Sequence, residues 1–207
     1  MNSGSLIKGK GCLVLFLIPF ICMGLIGLFY SVNKMYEGYT CRDWGRTIAN
    51  VEKVDFVIKK SSGRNSGTSY LVNVKYNYLI NNKKYSSDRV SFGYGANNTD
   101  NHHQIFDVLK GAKRIVVYVN PEDSAEAVVV PGINNSIMGI FIATIMWNSL
   151  VIVLSVLFLG NIKTDNKWLG IVLISFVGLI WAIGFGILTT KSFNVQIEKK
   201  IEVVEKI

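Results

Sequence analysis

Three uncharged apolar runs, Cys12 to Val32, Ile137 to Leu159 and Trp168 to Leu188, divide the chain, and none of them contains Asp, Glu, Lys or Arg. A helix needs roughly 20 apolar residues to cross the hydrocarbon core of a bilayer, so each run predicts a membrane-spanning helix. Between the first two runs the period changes. Val54, Phe56 and Ile58 alternate with polar neighbours, and Val72, Val74, Tyr76, Tyr78 and Ile80 do so more clearly, with Asn73, Lys75 and Asn77 on the opposite face. Asn81-Asn82 suits a two-residue hairpin turn, because Asn tolerates positive φ, and a third strand over Tyr85 to Phe92 pairs back on the second. After a Gly/Asn loop at Gly93 to Asn98, Thr99 or Asp100 caps a short helix carrying Ile105, Phe106 and Leu109, with Gly111 as its stop. Ile115 to Val119 and Ala127 to Val130 read as the fourth and fifth strands, separated by the turn at Asn120-Pro121-Glu122-Asp123.

The pattern predicts an α+β membrane protein with a small five-stranded β domain inserted between helices. A short basic segment covers 1–11, transmembrane helices cover 12–32, 133–159 and 168–190, the soluble β domain covers 33–132, and a short loop covers 160–167. The order strand, strand, strand, helix, strand, strand fits both an OB-like barrel and an open sheet with a helix across it. The tail at 191–207 fits a strand, apart from Lys199, and a helical stripe nearly as well. Three crossings place it on the same side as the β domain, and the amino terminus and the 160–167 loop on the other.

Charge changes this picture only in one respect. The formal net charge is +8, but the segment Lys34 to Gly132 carries 14 Lys or Arg against 10 Asp or Glu, scattered without a run. That balance gives some attraction to membrane lipid and predicts no nucleic-acid surface. Lys8, Lys10, Lys163 and Lys167 are dense in two very short segments, whereas Lys34, Arg42, Arg46, Lys191, Lys199, Lys200 and Lys206 spread over longer ones. Density in short flanks orients the β domain extracytoplasmically. The first run is long for a signal-peptide core and is followed by no small-x-small cleavage site, so it reads as an uncleaved anchor.

Candidate chemistry is sparse. Cys12 and Cys22 belong to the first apolar run, which leaves Cys41 without a partner for a disulfide in the domain. His102-His103 are adjacent, about 100° apart on a helix, and read as a solvated helix start rather than a metal site. Gly93-Tyr94-Gly95 reads as a turn, and Asp88 and Arg89 as a solvated strand face. Tyr76 and Tyr78 point to the core, which leaves Tyr70 and Tyr94 as surface aromatics available for contacts. Gly178, Ala182 and Gly186 recur every fourth residue in the third span, with a shorter version at Gly139 and Ala143 in the second, and predict close helix packing.

Trp44, Val74-Lys75-Tyr76-Asn77-Tyr78, Asn82-Lys83-Lys84-Tyr85, Leu109-Lys110-Gly111, Val117-Tyr118-Val119-Asn120-Pro121 and Ala127-Val128-Val129-Val130-Pro131-Gly132 together resemble the bacterial membrane family called domain of unknown function 3592. The resemblance covers about Trp44 to Gly132 with the flanking helices. A second Pro commonly follows the Asn-Pro turn in that family, where Ser124 and Ala125 stand here. The resemblance implies a β domain between membrane helices in the envelope of a bacterium, and it carries no catalytic residues over.

The expectation for function is therefore a multi-pass cell-membrane protein whose β domain is a binding module for a protein partner or a second copy. Neither catalysis, cofactor nor metal is expected. The alternative is an auxiliary subunit of a larger membrane complex, docked through the small-residue helix faces.

Overall fold

A computed structural model describes residues 3–61, 67–98, 100–159, 167–189 and 195–207, with side chains for all of these except 3–14, 158, 159, 167 and 169. The middle of the Ser61–Thr68 loop, the cap at Thr99, the 160–167 loop up to Asn166 and the tail through Asn194 fall outside the described residues. In chain order the elements are α1 (Ser3–Thr40), β1 (Gly45–Lys60), β2 (Thr68–Ile80), β3 (Lys83–Ser87), α2 (His102–Lys110), β4 (Ala112–Val119), β5 (Ala127–Val128), α3 (Asn135–Leu159), α4 (Lys167–Thr189), α5 (Ile197–Lys200) and β6 (Val203–Lys206). They group into two units, Met1–Val32 with Gly139–Phe193 and Asn33–Met138 with Asn194–Ile207.

In the first unit α1, α3 and α4 each contain a stretch long and apolar enough to cross a membrane. Phe16, Phe29, Ile174 and Phe176 are exposed, as side chains that face lipid are. A helix keeps its backbone hydrogen bonds within itself, which is what a segment surrounded by hydrocarbon requires.

The second unit is an antiparallel sheet with one helix against it. Its path is β3-β2-β1-β4-β5, and β6 also pairs with β4, which makes six strands. Of the two arrangements the element order allows, the sheet takes the open one. The sixth strand comes from the tail, which is both things its sequence suggests: a one-turn helix at Ile197–Lys200 followed by a strand at Val203–Lys206. β6 pairs with β4 at Ala112↔Lys206 and Ile115↔Val203.

β1 is far longer than the alternation at Val54 to Ile58 suggests, because a register shift lies between Val51 and Lys53. The extra residue inverts the phase: Ala49 and Val51 face the core before it, Val54 and Phe56 after it. β2 follows its alternation, with Val72, Val74, Tyr76 and Tyr78 all buried. At the β2–β3 turn Asn81 and Asn82 both adopt positive φ, 50° and 63°, as a tight two-residue hairpin demands. β3 ends at Ser87, earlier than expected, because the chain then leaves β2. Past that point Val129 N–H donates to Arg89 O at 3.2 Å and Val130 N–H to Val90 O at 2.8 Å. The segments beyond the two outer strands are thereby joined. Inside this junction the Tyr76 hydroxyl lies 3.0 Å from both Arg89 O and Ala127 O, and burial holds its pKa above the ordinary phenol range. The Tyr78 hydroxyl donates to Ser124 O at 2.8 Å.

α2 covers the sheet with Ile105 and Leu109, both fully buried. Asp100 does not cap it, and Gly111, at φ −79°, ends it in an ordinary right-handed conformation.

Tyr76→Phe removes one hydroxyl, but Ala127 O keeps the Ser87 Oγ donor and Arg89 O keeps Val129 N–H. The expected loss is about 1 kcal/mol, read as a small drop in urea midpoint. Tyr76→Ala empties a fully buried site and is expected to cost about 3–5 kcal/mol.

Candidate functional site

The densest polar constellation sits where the loop after Phe92, the start of α2, the start of α3 and the tail meet. Gly93 makes the loop possible: its φ is +66°, and a Cβ there would fall 2.8 Å from Ile137 Cδ1. Asn97 then exchanges backbone hydrogen bonds with Tyr70, at 3.1 and 3.2 Å, which lays the loop against β2. The Asn97 side chain organises the rest. Its Oδ1 accepts from Asp100 N–H at 2.8 Å and from His102 Nε2 at 3.2 Å, while its Nδ2 lies 2.8 Å from Asp100 Oδ2 and 2.6 Å from Ser136 Oγ. Ser136 Oγ donates to Asp100 Oδ2 at 2.7 Å, and Asn135 Nδ2 to Asp100 Oδ1 at 3.2 Å. Asp100 therefore receives a ring of donors in a buried place, and this is why it does not serve as the helix cap.

These bonds fix the tautomer of His102. An amide oxygen only accepts, so Nε2 carries the proton and Nδ1 accepts from the Tyr94 hydroxyl at 2.7 Å. The ring is neutral and only 2 % exposed. Burial lowers its pKa below the ordinary 6.5, with the His103 ring acting the same way, against the opposing pull of Asp100 and the Asn97 bond. The Tyr94 oxygen in turn accepts from Val72 N–H at 3.3 Å, and burial raises its pKa. Ser136, His102 and Asp100 share the network, but the serine is bonded to the carboxylate and not to the imidazole, which is not the order of a Ser-His-Asp triad. The arrangement binds four chain segments together. Among the described residues no group of three His, Cys, Asp or Glu is placed to hold a metal ion.

Several sequence expectations change here. His102 is a buried member of the network rather than a solvated residue, because the first turn of α2 tucks beneath Tyr94. His103 is exposed, its ring 4.6 Å from that of Phe56. Tyr94 is half-buried with its hydroxyl engaged, and Tyr70 is half-buried beside Phe56 and His103, at 5.8 and 5.5 Å between ring centroids. Arg89 is not a solvated strand residue: it donates to Glu126 Oε1 at 2.5 Å and stacks over Phe92. Cys41 is buried, its thiol 3.2 Å from Gly38 O.

A second feature is a groove of ≈ 550 Å³ on the sheet, lined by Lys53, Asp55, Asn73, Val74, Lys75 and the stretch Ser86 to Asp88. It opens where β3 departs from β2. The last β2–β3 pair is Tyr76↔Ser87, and the next partner on that edge is Asn97 at Tyr70. Both charge signs line it, with Lys53 and Asp55 paired at 2.6 Å. No sequence motif announces the groove, because it arises from the early departure of β3.

In the membrane-type unit, α3 packs on α1 and α4 through residues other than those expected. A Cβ at Gly24 would lie 2.5 Å from Asn148 Oδ1, and one at Gly27 3.1 Å from Thr144 Oγ1. Asn148 Nδ2 donates to Gly24 O at 3.1 Å and Trp147 Nε1 to Phe20 O at 3.0 Å. On the other side a Cβ at Gly184 would lie 2.6 Å from Met146 Sδ, and Trp181 Nε1 donates to Met146 O at 3.2 Å. Gly139, Gly178 and Gly186 meet nothing at the Cβ position, and Ala143 and Ala182 are exposed. Gly184 is two residues from Ala182, about 200° round the helix, so the contact uses nearly the opposite face. Asn148 within an apolar run was the available signal for this interface, since an amide in hydrocarbon needs a partner.

Residues 45–134 match the family model described as Domain of unknown function (DUF3592), the family that the strand and turn motifs resemble. The match runs from the start of β1 to Asn134 and leaves out β6 and the three long helices. No curated protein and no solved structure matches the chain.

His102 supplies a pH test. A neutral ring with a lowered folded pKa contributes stability that is complete above about 6.5, its unfolded value, and is lost as pH falls toward the folded pKa. Between pH 7.5 and 5 the urea midpoint of the domain signal is expected to fall in the native protein and to fall less in His102→Gln. Parallel pH profiles for the two would remove His102 as the cause.

Proposed function

We propose, for a chain that carries a DUF3592 domain at residues 45–134, that this domain is a non-catalytic binding module held at a bacterial cell membrane by three spans. The domain faces the extracytoplasmic side, as the dense lysines of the two shortest flanks favour. The observation that carries the reading is the groove at the open edge of β2. Its lining residues of both charge signs and the β2 edge between Tyr76 and Tyr70 suit an extended segment of a protein partner, which can take hydrogen bonds from a strand edge and charge contacts from Lys53, Lys75 and Asp88. The buried network supports the same reading, because its histidine, carboxylate and hydroxyls bond to one another.

A second reading is favoured by the exposed Gly178 and Ala182 of α4. The contact inside the chain runs through Gly184, which leaves this small-residue face for a helix of a larger membrane complex, to which the chain is an auxiliary subunit.

Cysteine labelling with a membrane-impermeant maleimide tests the first reading, in a chain whose three native cysteines are replaced by alanine. Asn82→Cys, exposed on the hairpin turn, is expected to label in intact cells. Ser86→Cys, in the groove, is expected to be protected in cells and to label fully in the detergent-purified chain. Labelling of Asn82→Cys only after permeabilisation overturns the orientation, and equal labelling of Ser86→Cys in both settings overturns the occupied groove. For the second reading, Gly178→Leu with Ala182→Leu should dissociate a detergent-stable assembly while leaving the domain folded, whereas Gly184→Leu should disturb the packing of the helices themselves. An assembly of unchanged size in the double variant removes the idea.

A further inference from the structure

The tail occupies a place in the domain that the DUF3592 segment leaves unfilled. The family match ends at residue 134, yet Ile197 and Ile201, which are 1 % and 8 % exposed, belong to the same core as Ile105, Leu109 and Ile115. Beyond these two anchors the tail adds β6 to the outer edge of β4. Val116 N–H donates to Glu202 O at 2.9 Å and Ile207 N–H to Gly111 O at 3.0 Å. The charges are complementary. Glu202 pairs with Arg46, and Glu205 with Lys113 at 2.8 Å and with Arg114 at 3.8 Å. The bond from Lys113 is the largest of the influences that lower the Glu205 pKa. At the near end, Asn135 takes the place of a neighbouring strand: its Oδ1 accepts Val195 N–H at 2.9 Å and its Nδ2 donates to Val195 O at 3.1 Å.

The pieces that hold this segment are short. β6 has four residues and two register shifts in its pairing with β4, whereas β1 and β2 share eleven registered pairs. Its ion pairs are exposed and contribute little. Short pairing and exposed ion pairs are the features that favour opening of the tail ahead of the β1–β2 ladder.

We propose that the outer edge of β4, with the slot that takes Ile197 and Ile201 and the cations Arg46, Lys113 and Arg114, is a strand-docking site whose occupant is the chain's own tail. Docked in cis, the tail closes the site. Released, it exposes a strand edge and a basic rim that accept a segment of the same chemistry: two branched apolar anchors four residues apart, followed by a strand with carboxylates placed as those of Glu202 and Glu205 are. This site lies on β4 and is separate from the β2 groove, so the two proposals stand or fall apart.

The test uses a synthetic peptide with the sequence Val195–Ile207, a detergent-solubilised chain ending at Phe193, and the intact chain. The peptide is expected to bind the shortened chain, to bind the intact chain at least tenfold more weakly because the cis tail competes, and to lose binding when it carries Glu202→Lys and Glu205→Lys. Failure of the peptide to bind the shortened chain, whether folded or not, overturns the proposal. Hydrogen exchange on the intact chain is the second measurement. The amides of Val116 and Ile207 are expected to exchange at least a hundredfold faster than those of the β1–β2 ladder. Equal protection would make the tail an inseparable part of the fold and overturn the proposal as well.

Discussion

The domain depends on joining the outer segments of a sheet that is otherwise open. An open sheet of this size leaves strand edges and one face to be covered, and the DUF3592 segment is short for building a core that does both. The hydrogen bonds from Val129 and Val130 to Arg89 and Val90 bring the two outer segments together, and the Tyr76 hydroxyl fills the space between them with bonds to Arg89 O and Ala127 O. The junction also brings Val90, Val129 and Val130 into the core that holds Val72, Val74 and Tyr78. The departure of β3 from β2, which makes the junction reachable, also opens the groove. Closure on one side of the sheet and access on the other have the same geometric cause.

The polar network and the tail extend this logic to the far side of the core. Asn97 and Asp100 hold the loop, His102 and Tyr94 hold the helix start, and Asn135 holds Val195. A small core gains stability here by satisfying polar groups in a buried place rather than by enlarging its apolar contents. The cost is a buried imidazole whose surroundings disfavour its protonation.

The sequence made the architecture legible wherever the governing interaction is local. Apolar runs, the β2 alternation and the Asn81-Asn82 turn depend on a few neighbouring residues, and all three are found as expected. Only about a third of β1 shows in the alternation, because the register shift near Glu52 inverts the phase and so hides the continuity of the strand. The burial of His102 is not legible locally, because its environment is made by Tyr94 and Asn97, which only the folded loop brings to it. The same holds for helix packing. A four-residue spacing of small side chains is a permissive signal, met equally by Gly178 and Ala182, while the contact is selected by what faces the helix: Met146 opposite Gly184, and Asn148 opposite Gly24. The DUF3592 resemblance was carried by strands and turns, and the family match covers those elements and stops before the tail, whose pairing partner lies far back in the chain.

That separation has a consequence for biogenesis. The residues that finish the core, Ile197 and Ile201, come after α3 and α4 in the order of synthesis. The strands made first must therefore wait, with one wall missing, until both later helices have been produced and the chain has come back. The last part of the core is in this way supplied only by the end of the chain. Until residues 195–207 have been made, the apolar side chains that pack on Ile197 and Ile201 stay uncovered and the outer edge of β4 lacks its partner strand.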